Sequence, residues 1–238
     1  MLVATVPEPT HELPEFAYLT EYLGQLVEDR RTRPHSRQED VLDNLCFANP
    51  GETDMSIPEV MTHILQLVVA ATDTTRALIA NCLYRLLECR EHWTAVVSDR
   101  ALLSTAIEES LRMDSPAQFM VRSVIEDVTI DRCPVPAGNK VYLNIQSANH
   151  DEKRWGEDSR SYRLDRPNAA SHLAFGRGIH TCIGAPLARI EARVAIGALL
   201  DRYPGMTLAP HAKWVRSPGA LTRKVQSVPV LLTAEETV

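Results

Sequence analysis

One stretch sets the scale of the fold. Ser56-Ile57-Pro58-Glu59 has the S-x-x-E spacing of a capping box, with proline in the first turn, where its missing N–H removes no hydrogen bond. The helix opened there is predicted to run to about Glu88. Roughly 30 residues at about 1.5 Å of rise each make a rod of about 45 Å, enough to cross an entire domain. Its middle, Ile64 to Ala71, is apolar nearly all round and is expected to be buried on most faces. Thr72-Asp73-Thr74-Thr75 follows at once, a polar cluster where the helix is expected to lie deepest.

The rest of the chain reads as helix-dominated with minor β. Residues 1–14 are Pro-rich and polar and read as a tail or connector, leaving 15–238 as one domain. Helices are predicted at Glu15 to Arg31, Asp40 to Ala48, His92 to Ser98 and Leu103 to Met113. A turn is expected at Asn49-Pro50-Gly51, and short strands between Val121 and Ile145. A polar loop from Asn149 to Ala170 follows. A helix from Ala185 to Tyr203 then carries Leu187, Glu191, Val194, Ala195, Ala198 and Leu199 on one stripe, and Ser227 to Thr233 is strand-like.

Composition removes several function classes. Twenty-five Lys and Arg against 31 Asp and Glu give a formal charge of −6, no electrostatic basis for nucleic-acid binding. Five cysteines, odd in number and without a C-x-x-C pair, argue for a reducing cytoplasm rather than a disulfide framework. No apolar run approaches the ~18 residues of a membrane span, and the first residues lack the features of a signal peptide.

The chemistry concentrates in Phe175-Gly176-Arg177-Gly178-Ile179-His180-Thr181-Cys182-Ile183-Gly184, followed by Ala185-Pro186-Leu187-Ala188-Arg189. Its glycines let the backbone approach a bulky object closely. Pro186 starts a helix, so Cys182 stands just before a helix N-terminus, where the dipole and free N–H groups favour thiolate over thiol. A small buried cysteine is the bland reading of such a residue. Zinc requires three or four ligands, and His180 with Cys182 has no second pair at usable spacing. A cysteine hydrolase would need a base, for which His172 or His180 is available, but nothing in the pattern selects either. A single thiolate on a glycine bulge fits an iron whose other positions are filled by a macrocycle.

The run F-G-x-G-x-H-x-C-x-G resembles the haem-binding loop of the cytochromes P450, especially the soluble bacterial type. The resemblance implies a mainly α fold with minor β, with haem b held by Cys182 and by the loop residues Phe175, Gly176, Gly178, His180 and Gly184. Glu109-Ser110-Leu111-Arg112 is similar to the family's E-x-x-R, whose pair usually joins a later arginine, here Arg166 in Leu164-Asp165-Arg166-Pro167. The implied role is to brace the haem loop; on residues alone, a solvated i, i+3 pair is the simpler reading, and Glu108 with Arg112 at i, i+4 the more ordinary surface pair. Ala70-Ala71-Thr72-Asp73-Thr74-Thr75 resembles the family's oxygen-activation motif. There Thr74 would hold a proton-delivering water and Asp73 would gate protons. Ala71 stands where glycine is usual, and its methyl is expected to narrow the groove over the iron. Arg122 and His180 match the usual partners of the haem propionates; His150 stands where the family commonly has arginine and is assigned no role.

The activity implied is a monooxygenase inserting one oxygen atom from O2 into a small organic substrate, with electrons from NAD(P)H through a ferredoxin and its reductase. Neither nucleic acid nor membrane is an expected partner. Aligned on these motifs, the chain lacks the family's N-terminal helices and small sheet, and large apolar surfaces of the central and final helices are then expected to face water. The alternative is a truncated, non-catalytic haem-binding or assembly-partner relative.

Overall fold

Helix α1 (Pro14–Thr32) ends on Arg30 and Arg31, cations that suit its carbonyl end. Asp40 caps α2 (Val41–Cys46) by accepting the Asp43 N–H at 2.9 Å, and Arg30 ties the two helices by donating to Asp40 at 3.0 Å and Asp43 at 2.7 Å. The capping box ahead of α3 (Ile57–Glu88) forms as its spacing predicts: the Ser56 N–H donates to Glu59 Oε2 at 2.7 Å. This is a computed structural model; it describes residues 14–33, 40–47, 51, 53–218 and 222–232. Of the expected tail only Pro14 is described, and it opens α1; Ala48, Asn49, Pro50 and Thr233 lie outside the described residues.

The chain divides after Ala70 into two units. In the first, Val27, Cys46 and Val60 form a core with Leu42, Leu45, Met61 and Ile64 packed against it. In the second, α4 (Arg90–Ser98) and α5 (Leu102–Met113) bury Trp93, Val96, Ala106, Ile107 and Leu111 with Leu78, Cys82 and Leu86 of α3. Trp93 is fully buried, and its indole N–H is satisfied by Pro204 O at 2.8 Å.

Among the described residues the β content is three two-stranded antiparallel pairs. β1 (Phe119–Ser123) is paired with a later strand across an inserted hairpin made of β2 (Val128–Ile130) and β3 (Cys133–Val135), which turns at Asp131 with φ 47°. β4 (Lys140–Asn144) closes on β1 with Val121 opposite Tyr142. The stretch expected as polar loop from Asn149 contains a helical turn, α7 (Glu152–Trp155), preceded by another, α6 (Ile145–Ala148). Asn144 and Asp151 cap them, accepting N–H groups of Ser147 and Lys153 at 2.8 and 3.0 Å. One-turn helices carry no periodicity, so only the caps signal them.

The long carboxyl-proximal helix is α8 (Ala185–Arg202). Its buried face is Ala185, Ala192, Ile196 and Leu200, not the stripe through Leu187 and Val194; Val194 is 66% exposed. Both faces are apolar, and periodicity cannot choose between them; packing against α5 does. A short pair of β5 (Thr207–Leu208) and β6 (Val230–Leu231) ends the described chain, so the strand expected over 227–233 is confined to two residues among those described.

The middle of α3 corrects the expectation of burial. Within the first unit Ile64 still reaches the core, but Leu67, Val68 and Val69 are exposed, Val69 by 62%. An apolar run reports a preference for burial, which is met only where another element lies on it. The exposure of these residues and of Leu187, Ile190 and Val194 agrees instead with the expectation that the central and final helices face water. Among the described residues no helix is long and apolar enough to cross a membrane.

Candidate functional site

The loop from Phe175 to Gly184 folds back on its own start. Gly176 (φ 70°) and Gly178 (φ 78°) occupy the left-handed region that residues with a Cβ rarely adopt. The Gly176 N–H donates to Leu173 O at 2.9 Å and Thr181 N–H to Gly178 O at 3.0 Å. The Cys182 N–H returns to Phe175 O at 2.9 Å and closes the loop, leaving Cys182 exposed. Next, the Ala185 N–H reaches Cys182 O at 3.3 Å, and α8 begins with Gly184 as its cap and proline in its first turn. A Cβ at Gly184 would lie 3.8 Å from Cys182 Sγ, so the sulfur stands beside the amino end of an 18-residue helix.

These residues fit a haem. A Cβ at Gly178 would meet nothing within 4 Å, so the loop presents backbone to open space. Ile179 and Ile183, 97% and 89% exposed, flank the cysteine and offer an apolar surface to a planar macrocycle. The donor set is one cysteine sulfur: among the described residues no group of three or more His, Cys, Asp or Glu side chains could hold a metal ion. His180 is exposed at the end of the turn Gly178–His180, and Arg122 lies exposed on β1, where its Nη1 donates to Val121 O at 3.0 Å.

Glu109, Arg112 and Arg166 come together in the interior, which removes the solvated-pair reading. Glu109 and Arg112 have no side-chain exposure and Arg166 only 4%. Arg112 donates to both Glu109 oxygens at 2.8 Å, and Arg166 Nε donates to Oε1 at 2.9 Å. The remaining Arg112 hydrogens end on the carbonyls of Asn149, Ser159 and Ser161 at 2.8, 2.6 and 3.1 Å. Arg166 likewise reaches Asp158 O and Ser161 O at 3.0 and 3.1 Å. One carboxylate thus pins α5 to the irregular segment that leads into the loop, and Asp158 Oδ1, 3.2 Å from Arg166 Nη1, balances the second guanidinium.

A second buried carboxylate, which sequence reasoning missed, holds the loop itself. Glu108 does not pair with Arg112. Its Oε1 accepts Arg189 Nε at 2.6 Å, and its Oε2 accepts Arg189 Nη2 at 2.9 Å and His172 Nε2 at 3.2 Å. Burial alone would raise the Glu108 carboxyl, but the hydrogen bonds from Arg189 and His172 outweigh it and hold it at about 2. His172 Nδ1 accepts the Ala174 N–H at 3.1 Å, so both ring nitrogens are engaged and the ring is not the base of a cysteine hydrolase. The only signal in the sequence was the Glu108-Glu109 doublet, since adjacent residues on a helix face different neighbours.

On α3, Thr75 is buried while Thr74 is exposed, and Asp73 is paired with Lys224. The hydrogen bond from Lys224 holds the Asp73 carboxyl below the usual carboxylate range, against a smaller opposing effect of burial. Asp73 is therefore an ionised, cation-bound acceptor at neutral pH.

Comparison with known proteins identifies the family. The family model described as "Cytochrome P450" matches residues 3–209. A steroid C26-monooxygenase of Mycolicibacterium smegmatis is 35% identical over 218 residues, covering 92% of this chain and 53% of the relative. The cytochrome P450 monooxygenase PikC of Streptomyces venezuelae is 35% identical over 229 residues, covering 94% and 53%. The crystal structure of CYP109E1 from Bacillus megaterium in complex with testosterone superposes with a TM-score of 0.82 at 33% identity, covering 91% of this chain and 58% of that one. The chain spans about half the length of the curated relatives it matches. With the family model matched over residues 3–209 and relatives 35% identical over more than nine-tenths of its length, the chain belongs to the cytochrome P450 family.

Proposed function

We propose that this chain carries the cysteine-ligating part of a haem-thiolate monooxygenase acting on a small organic substrate. Haem b is the standard cofactor of the family. The observation that carries the proposal is Cys182: exposed, closed onto Phe175 O at 2.9 Å, and set at the head of α8 on a glycine loop. When bound, a thiolate-ligated haem supplies the insertion of one atom of dioxygen into a substrate C–H bond.

The chain's own residues hold and orient. Cys182 is the ligand, and Gly176 and Gly178 let the loop backbone approach the macrocycle. Arg122 and His180, both exposed, would hold its propionates. Glu109, Arg112 and Arg166 keep the segment ahead of the loop in place at the cost of no unpaired charge. Thr74 orders a water for proton delivery. Asp73 carries protons only when it leaves Lys224, which makes that ion pair the gate of the relay. Electrons come from NAD(P)H through a ferredoxin and its reductase, in a reducing cytoplasm that suits five free cysteines.

One observation favours a second reading, a non-catalytic haem-binding or assembly-partner relative: Leu67, Val68 and Val69, beside the oxygen-activation motif, are exposed. Haem-loaded protein separates the two. Turnover of an organic substrate with ferredoxin, reductase and NADPH supports the monooxygenase; haem uptake with a thiolate signature and no turnover supports the second reading.

A further inference from the structure

We infer that Glu108, His172 and Arg189 are positioning residues for Cys182, a second brace that acts through Phe175; this rests on Cys182 being the haem ligand as proposed above. The Arg189 guanidinium lies 4.6 Å from the Phe175 ring centroid, and the His172 ring lies 5.8 Å from the same ring. Both are held by the one carboxylate of Glu108 on α5, Arg189 through a two-pronged contact at 2.6 and 2.9 Å. Glu108 thereby draws a cation and an imidazole together onto Phe175. The Phe175 carbonyl in turn accepts the Cys182 N–H at 2.9 Å, the bond that closes the loop.

The two ends of the loop are therefore fastened to a single side chain. His172 and Phe175 precede the cysteine, Arg189 follows it on α8, and the Glu108 side chain is only 11% exposed while that of Arg189 is 33% exposed. His172 accepts the Ala174 N–H through Nδ1, so Nε2 carries the proton and donates to Glu108; the tautomer is set by the loop backbone itself. Partners that orient a ligand from outside the metal's own donor set typically affect its affinity and electronic properties as strongly as tens-fold. Lysine cannot replace Arg189 here, since it offers neither the fork nor the flat face.

The test uses the full chain with Glu108→Gln and, because its site is partly exposed and tolerant, Arg189→Lys. In the haem-free chain, hydrogen exchange of the amides from Phe175 to Gly184 is expected to speed up about tenfold in both variants, with the amides of α4 unchanged. In haem-loaded chain, the ferrous carbon monoxide complex is expected to lose several-fold of its thiolate-type Soret band at equal haem content. Loop exchange at the wild-type rate in both variants, or a rise shared equally by α4, overturns the brace. If the unaltered chain takes up no haem, the proposed function falls while the exchange measurement still decides the brace; normal haem binding with unchanged loop exchange does the reverse.

Discussion

Glu108 and Glu109 are neighbours in the sequence and point to different partners: Glu109 takes Arg112 and Arg166, Glu108 takes Arg189 and His172. Glu109 was legible because E-x-x-R fixes its arginine three residues away on the same helix face. Glu108 was not, because Arg189 is 81 residues distant and nothing local announces the pair. The place of Cys182 just before a helix was legible from its glycines and the following proline. The binding state of Asp73 was not, since Lys224 lies 151 residues away. Arg112→Ala should cost about 3–5 kcal/mol, because it leaves a buried acid and several carbonyls short of donors. Arg100→Ala, whose pair with Asp201 is exposed, should stay within about 1 kcal/mol; urea unfolding midpoints compare the two. Glu108 gives a pH dependence. Its folded value, about 2, lies below the ordinary 4.5, so its contribution is full above pH 4.5 and is lost as pH falls toward 2. The acid limb of a thermal-stability profile should therefore flatten in Glu108→Gln relative to the unaltered chain.

At the scale of elements, long periodic segments were readable and short or two-faced ones were not. The helices α1, α3, α4 and α5 lie where capping and spacing place them, within a few residues. α6 and α7 escaped because a single turn has no period, and β1 begins earlier than its β-branched residues suggest because Phe119 and Met120 pair with Asn144 and Leu143. α8 was found, but which of its faces is buried was not legible: apolar residues lie on both sides of it, and the choice of face belongs to α5. Truncations on the two faces separate these assignments. Ile196→Ala, fully buried, should lower stability by about 2–5 kcal/mol, whereas Val194→Ala should change it by no more than about 0.5 kcal/mol. Chemical denaturation of the two variants reads the difference directly.

For the whole molecule, the chain has about half the length of its curated relatives and carries exposed apolar side chains on two helices: Leu67, Val68 and Val69 in the first unit, Leu187, Ile190 and Val194 in the second. Apolar surface of that kind drives self-association. Val194→Glu is expected to reduce the aggregate fraction in sedimentation velocity without lowering the unfolding midpoint. Haem ligation by Cys182 is the claim on which the functional proposal depends, and one spectrum tests it most directly. The haem-loaded, reduced chain under carbon monoxide should show the red-shifted Soret band of a thiolate ligand, and Cys182→Ser should abolish that band; a chain that takes up no haem, or a band that survives the substitution, would contradict it.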